Sequence, residues 1–383
     1  MSRGTGVVPY RFRTDHQDLL NRPDPVEATR GIVCVPATRS VGCLVSAARL
    51  ARDLGWPLVV VCSRHVHAAA LRRAADRHGL PGPMTAVNLP LNGTLRAHRP
   101  WRTPEHRAAR ERHDIDTHRK RNAALAAARL VGAPWVLFVD DDVRGLAGPD
   151  VTAALGAAAE FAAHAWMVTR FPDNSVVCHA RRDFGGVEQS VFASGASLLV
   201  RVDDQEPNFF PPVYNEDWLF LYDLLERRAV NAGHKVVRQL RYDPYVRPQR
   251  ARLEEFGDVL AEGLFHLLHE RQPVATATDP HYWHTVRMER RQVLDDITAN
   301  LRDHTLTPHV DPPTRQDALH AMAESRSQLT RTTPELLADY VRRWRDDLET
   351  WREWFPKLPQ RDTLDEAFGY LGYPPGSVVS LRP

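Results

Sequence analysis

Five apolar residues, Trp135-Val136-Leu137-Phe138-Val139, run without a break into three carboxylates, Asp140-Asp141-Asp142. A short unbroken apolar run reads as a strand buried on both faces, the kind found in parallel sheets. In open α/β sheets ligands bind beyond the carboxyl ends of the strands, so the three aspartates stand where such a sheet does its chemistry. Adjacent carboxylates repel one another. A divalent cation relieves the repulsion, and Mg2+ and Mn2+ prefer carboxylate oxygens. The plainer reading is a solvated acidic loop before the next helix.

Upstream the same pattern recurs. Gly31-Ile32-Val33-Cys34-Val35-Pro36, Leu58-Val59-Val60-Val61 and residues 84–89 read as strands. Between them, residues 41–54 carry Leu44, Ala47, Ala48, Ala51 and Leu54 at helical spacing and stop at Gly55, and Ala68–His78 stops at Gly79. A further helix is expected over Thr117–Leu130, ending at Gly132. Strands alternating with helices predict an α/β fold with a mainly parallel sheet flanked by helices and right-handed crossovers.

Downstream, the sequence predicts an Ala-rich helix over about 151–164, a strand near 166–171, a segment at 194–200, and an apolar helix at 218–225 behind Asn215-Glu216-Asp217. From about 285 the alternation ends, and Leu337, Tyr340, Val341, Trp344, Leu348 and Trp351 recur at spacings of three and four. The expected organisation is an irregular arm at 1–29, a catalytic domain at 30–285 and a helical region at 286–383. The stripe of Trp344, Trp351, Trp354 and Phe355 serves either core packing or a homodimer interface.

The 383 residues carry 50 Lys and Arg against 48 Asp and Glu, a net charge of +2, which argues against a dedicated nucleic-acid binder. Cys34, Cys43, Cys62 and Cys178 form neither a disulfide framework nor a C-x-x-C zinc pair. With no apolar stretch of signal-peptide or membrane-span length, a soluble cytoplasmic protein is expected. The near-neutral total hides a basic stretch at 91–113 with Arg96, Arg99, Arg102, Arg107, Arg110, Arg112 and Trp101. That stretch reads as a flap over a diphosphate or as a solvated loop.

Two further features bear on chemistry. The helix from Thr117 opens with His118-Arg119-Lys120-Arg121, yet cations are unfavourable at a helix N-terminus. A bound phosphate there offsets the clash; a solvated basic face is the alternative. Asn215-Glu216-Asp217 reads as a helix cap or as carboxylates held rigidly for acid–base work. Asp140 and Asp142 also fit the D-x-D-x-T pattern of phosphatases, but Arg144 takes the Thr position. A nucleotidyltransferase would need a Gly-rich loop where Ala37-Thr38-Arg39-Ser40-Val41-Gly42 stands.

Together these segments resemble the GT-A fold glycosyltransferases, close in layout to glycosyltransferase family 2. The resemblance rests on Val35-Pro36-Ala37-Thr38-Arg39, Arg119-Lys120-Arg121-Asn122, Phe138-Val139-Asp140-Asp141-Asp142, Gly195-Ala196-Ser197 and Asn215-Glu216-Asp217-Trp218, in the family's order across about residues 31–225. It implies a Rossmann-like, mixed but mainly parallel sheet, a divalent metal (Mn2+ or Mg2+) and a nucleoside-diphosphate sugar as donor. By the same resemblance Pro36, Thr38, Arg39 and Ser63 face the nucleoside, and Lys120, Arg121, Asn122, Asp140, Asp141, Gly195 and Ala196 complete the donor site. Asp142 binds the metal with Asp140, joined by His281 or His284. Asp217 is the general base and Glu216 orients the acceptor, a small molecule or peptide, which implies inversion at the anomeric carbon. Where the family often has an acidic residue after its second strand, this chain has Cys62-Ser63-Arg64, which leaves the base open. A non-catalytic GT-A scaffold is the alternative outside enzymes.

Overall fold

The computed structural model describes residues 30–381 except 40, 79, 81–82, 91–101, 104–105, 111–115, 157–159, 171–173, 189–191, 204–205 and 234–235. The arm at 1–29 and much of the basic stretch, including Arg96, Arg99, Trp101 and Arg112, lie outside the described residues.

Strands β1 (Gly31–Ala37), β2 (Leu58–Cys62), β3 (Met84–Asn88) and β4 (Trp135–Val139) form where the apolar runs predict them. Every residue of β1, β2 and β4 is buried, as a strand covered on both faces requires. The later strands are β5 (Val143–Arg144), β6 (Ala163–Ala165), β7 (Val168–Arg170), β8 (Ser197–Arg201), β9 (Val230–Ala232), β10 (Val237–Gln239) and β11 (Val378–Leu381). The main sheet has the order β11-β3-β2-β1-β4-β8-β6-β9, and β5-β10-β7 form a small second sheet. β3, β2, β1 and β4 run parallel, while β8 is antiparallel to β4 and β11 to β3. This is the mixed, mainly parallel sheet expected from the sequence. The chain builds outward from β1 through β2 to β3 and then returns to place β4 on the other side of β1. In open α/β sheets such a reversal marks the place of a ligand crevice, here beyond the carboxyl ends of β1 and β4.

The helices are α1 (Val45–Leu54), α2 (Ala68–His78), α3 (Arg107–Arg110), α4 (Thr117–Leu130), α5 (Gly148–Gly156), α6 (Val176–Phe184), α7 (Glu216–Glu226), α8 (Gln249–His269), α9 (Pro280–Arg302), α10 (Pro312–Arg331), α11 (Pro334–Trp354) and α12 (Leu364–Tyr370). α1 ends at Gly55, whose left-handed φ of 67° lets its N–H reach back to the last turn. α4 packs on β1 and β4.

Contacts divide the described chain into two compact units. A sheet unit takes in 30–173, 191–241 and 343–381; a helical unit takes in 174–190 and 242–342. Residue 285 lies inside α9.

Two local expectations change. The Ala-rich helix is described over Gly148–Gly156, and residues 163–165 form β6 instead, paired on both sides with β8 and β9. Ladder pairing at the sheet's interior overrides the helix propensity of alanine. Within β6, His164 is fully buried and its Nδ1 meets Asn231 Nδ2 at 2.9 Å; burial pulls its pKa down to about 4, so it is neutral at pH 7. The short β11, behind Pro374-Pro375-Gly376, carries too few residues for a pattern. The aromatic stripe of α11 is spent inside the chain: Trp344 packs edge-on against Tyr222, and Trp351 meets Phe209 and stacks on Phe355. Trp344, Trp351 and Phe355 are buried and Trp354 is partly exposed, which agrees with the core-packing alternative.

α11 also fixes the foot of the basic stretch. Asp347 accepts the main-chain N–H groups of Arg102 (2.6 Å) and Thr103 (2.7 Å) and the Thr103 hydroxyl (2.6 Å).

In the helical unit, Arg290 of α9 is buried among three carboxylates of α8. It donates to Glu255 (2.9 and 2.7 Å), Asp258 (2.8 Å) and Glu262 (3.2 and 3.1 Å). Ser325 of α10 donates to Glu255. The guanidinium offsets charge that would otherwise lie unpaired away from water. Arg290→Met should therefore destabilise the helical unit by about 3–5 kcal/mol, read as a lowered urea midpoint. An unchanged midpoint would contradict this account of the cluster.

Candidate active site

The candidate site is built from five pieces of the sheet unit: the turn after β1, the start of α4, the end of β4, and the two segments leading into β8 and α7. Asp141 joins the first and third. Its Oδ2 accepts the N–H groups of Thr38 (3.0 Å) and Arg39 (2.9 Å), and its Oδ1 accepts Arg39 Nη1. Arg39 Nη2 reaches Asp142 Oδ2 at 3.0 Å. Gln239 of β10 donates to Asp142 Oδ1 at 3.4 Å. The three aspartates thus serve different partners.

Asp140 looks the other way. Its N–H donates to the Ala196 carbonyl at 2.9 Å, tying β4 to the entrance of β8, and its Oδ1 accepts Arg121 Nη2 at 2.9 Å. Arg121 Nη1 donates to Glu216 Oε1 at 3.0 Å. This guanidinium is 4% exposed and lies 5.4 Å from the centre of the Phe210 ring. Burial alone would pull the Arg121 pKa down, but Asp140, Glu216 and Asp217 outweigh it and hold it above the usual value. Burial raises the Asp140 pKa, with Arg121 opposing.

The N-terminus of α7 presents the other carboxylates. Asn215 precedes it with a left-handed φ of 61° and makes no side-chain cap, so the capping expected of Asn215 is absent. Asp217 instead turns to the β8 entrance, where its Oδ2 accepts the Gly195 N–H at 2.6 Å. Its Oδ1 accepts the Trp218 N–H at 3.0 Å. Glu216 is buried and tied to Arg121.

Lys120 and Asn122 are placed at the site's frame. The Lys120 ammonium is fully buried, donates to the Ala37 carbonyl at 3.0 Å and pairs with Asp116 at 3.0 Å; burial lowers its pKa. Asn122 donates to the Phe210 carbonyl and accepts the Phe210 N–H, both at 2.8 Å. It clamps the segment ahead of α7 onto α4, so both ends of its amide are in use. Pro36 is buried within β1. The Ser63 hydroxyl, at the carboxyl end of β2, is buried and has no hydrogen-bond partner among the described residues.

His281 and His284 lie in the first turn of α9, in the helical unit, with ring centres 6.4 Å apart and both side chains exposed. Among the described residues, the place where three metal-ligand atoms lie within 4.8 Å of one another is Cys178, Asp258 and Glu262. There Arg290 already supplies the positive charge. The oxygen donors of Asp140 and Asp142 at the end of β4, with that of Gln239 on β10, suit a hard divalent cation by their chemistry.

The sequence gives no hint of Gln239, on a three-residue strand with no pattern of its own, or of Phe210, whose main chain fixes Asn122. The pairing of Arg39 with Asp141 and Asp142 spans about a hundred residues and leaves no local trace.

No family model matches the chain, and no curated protein matches it. Among solved structures, the chain is similar to a mannosyltransferase from Pyrobaculum calidifontis in complex with GDP-Man and Mn2+. That likeness is 14% identical, covers 88% of this chain and 92% of that one, and has a TM-score of 0.42. The chain is also similar to M. tuberculosis glucosyl-3-phosphoglycerate synthase, at 14% identity over 64% of this chain and 82% of that one, with a TM-score of 0.35.

Gly195 tests the packing of Arg121. A Cβ at position 195 would fall 2.3 Å from Arg121 Nη1, and the guanidinium is held by two carboxylates. Gly195→Ala should cost about 1–3 kcal/mol of stability, measured by denaturant unfolding. A variant as stable as the wild type would mean that Arg121 is not confined there.

Proposed function

We propose that this chain is a metal-dependent GT-A glycosyltransferase, moving a sugar from a nucleoside-diphosphate sugar to an acceptor hydroxyl with inversion. The observation that carries the reading is the Asp140–Arg121–Glu216 bridge beside Asp217. It links the carboxylates at the end of β4 to those at the start of α7. Two carboxylate groups on opposite sides of one rigid guanidinium suit a reaction with a donor side and an acceptor side.

On the donor side, the turn after β1 and the unpartnered Ser63 hydroxyl supply polar groups for a nucleoside. Asp142 and Asp140 would hold Mn2+ or Mg2+ through their carboxylate oxygens. Such an ion, when bound, neutralises the charge that develops on the departing diphosphate.

On the acceptor side, Glu216 is committed to Arg121, which leaves proton transfer to Asp217. The acceptor oxygen forms a bond to the anomeric carbon as the bond from that carbon to the diphosphate oxygen breaks. Asp217 takes the hydroxyl proton. Two main-chain N–H groups fix the carboxylate for this task. Attack from the face opposite the leaving group inverts the configuration. A hexose donor, a small-molecule or peptide acceptor and a cytoplasmic setting complete the reading. The phosphatase alternative is less well supported: Arg144, at the Thr position of that motif, donates to the carbonyls of Asp141 and Val143.

The test is release of nucleoside diphosphate from a panel of UDP- and GDP-sugars with Mn2+. The wild type should release it from at least one donor. Asp142→Asn and Asp217→Asn should each lower the rate by about 100-fold or more while keeping the wild-type circular dichroism spectrum. Absence of release from every donor, or full turnover by Asp142→Asn, would overturn the reading. Full turnover by Asp217→Asn would remove the base.

A further inference from the structure

Asp141 and Asp142 are almost fully buried, with side chains 3% and 2% exposed, whereas the Arg39 side chain that pairs with both is 44% exposed. The guanidinium therefore reaches the two carboxylates from the solvent side and covers them. Its two hold-points differ. Asp141 has the N–H groups of Thr38 and Arg39 on one oxygen and Arg39 Nη1 on the other, so it stays anchored whatever the Arg39 side chain does. Asp142 has Arg39 Nη2 at 3.0 Å on one oxygen and a long contact from Gln239, at 3.4 Å, on the other.

We propose that Arg39 is the built-in counter-ion of Asp142, and that a divalent cation binds by taking Asp142 from it. The guanidinium and the metal compete for one carboxylate, because both neutralise the same charge. Metal alone must displace Arg39 from Asp142 and leave it with Asp141 only. Metal that arrives with a diphosphate offers the freed guanidinium new anionic oxygens, which Arg binds well. The site then favours the metal–diphosphate pair over the bare ion. This inference rests on the reading of Asp142 as a cation ligand.

The experiment is titration of the full chain with Mn2+ in the absence of nucleotide, following the electron paramagnetic resonance signal of the free ion. Arg39→Gln should bind Mn2+ about tenfold more tightly than the wild type. Arg39→Lys, which keeps the charge, should stay near the wild type, and its melting temperature guards against a folding artefact. The gain should vanish in Arg39→Gln combined with Asp142→Asn. Binding by Arg39→Gln no tighter than the wild type overturns the proposal, as does a gain that survives loss of Asp142. If wild type and Arg39→Gln bind equally and both lose the ion with Asp142→Asn, only the counter-ion role fails. If none of them binds Mn2+ even with GDP or UDP present, the metal-dependent function fails as well.

Discussion

Arg121 carries a positive charge with almost no access to water, and the crevice is arranged around that fact. Its guanidinium spans from Asp140, at the end of β4, to Glu216, at the start of α7. A buried charge without partners costs several kcal/mol, so the carboxylates, the chain segments that carry them and Gly195, which leaves room for the guanidinium, are fixed together. Asn122, one residue along α4, clamps Phe210 and so brings the segment before α7 to the same place. In the helix that opens with a run of basic residues, Arg121 meets carboxylates from elsewhere in the chain, while Lys120 pairs with Asp116 beside the helix start and Arg119 donates to the Pro90 carbonyl. The dipole clash at its start is answered by protein groups, whether or not a phosphate also binds.

The same device recurs at Arg39, with a difference in exposure. Arg121 is sealed in and its bonds set the frame. Arg39 lies over its carboxylates from the solvent side, where a charge can be exchanged for another at modest cost. Placing the sealed guanidinium under Asp140 and the open one over Asp142 divides three adjacent aspartates between architecture and exchange. Asp141, gripped by two main-chain N–H groups, holds the turn after β1 against the end of β4.

Much of this was legible in the residues. The apolar runs of β1, β2 and β4 and the helical spacing of α1, α2 and α4 fall at or within a residue or a few of their observed ends, because burial on both faces leaves an unambiguous pattern. Asp140–Asp142, Arg121, Glu216 and Asp217 stand out by type and order, and the fold joins Asp140, Arg121 and Glu216 by hydrogen bonds, with Asp217 beside them. What could not be read is long-range. Asn122 and Lys120 look like ligand-binding residues in sequence, and the fold gives them the partners Phe210, Ala37 and Asp116, which no local pattern foretells. The division into units leaves no local trace either, because among the described residues the helical unit is assembled from two separate stretches of chain. The strand β6 was hidden by its alanines, whose helix propensity yields to pairing with β8 and β9.

The central claim is that the crevice at the ends of β1 and β4 binds a nucleoside diphosphate together with a divalent cation. Isothermal titration of the purified chain with UDP and with GDP, each with and without Mn2+, addresses it directly. The account predicts saturable heat for at least one nucleotide, dependent on Mn2+ and lost in Asp142→Asn. Absence of binding to either nucleotide, with or without the metal, would contradict it.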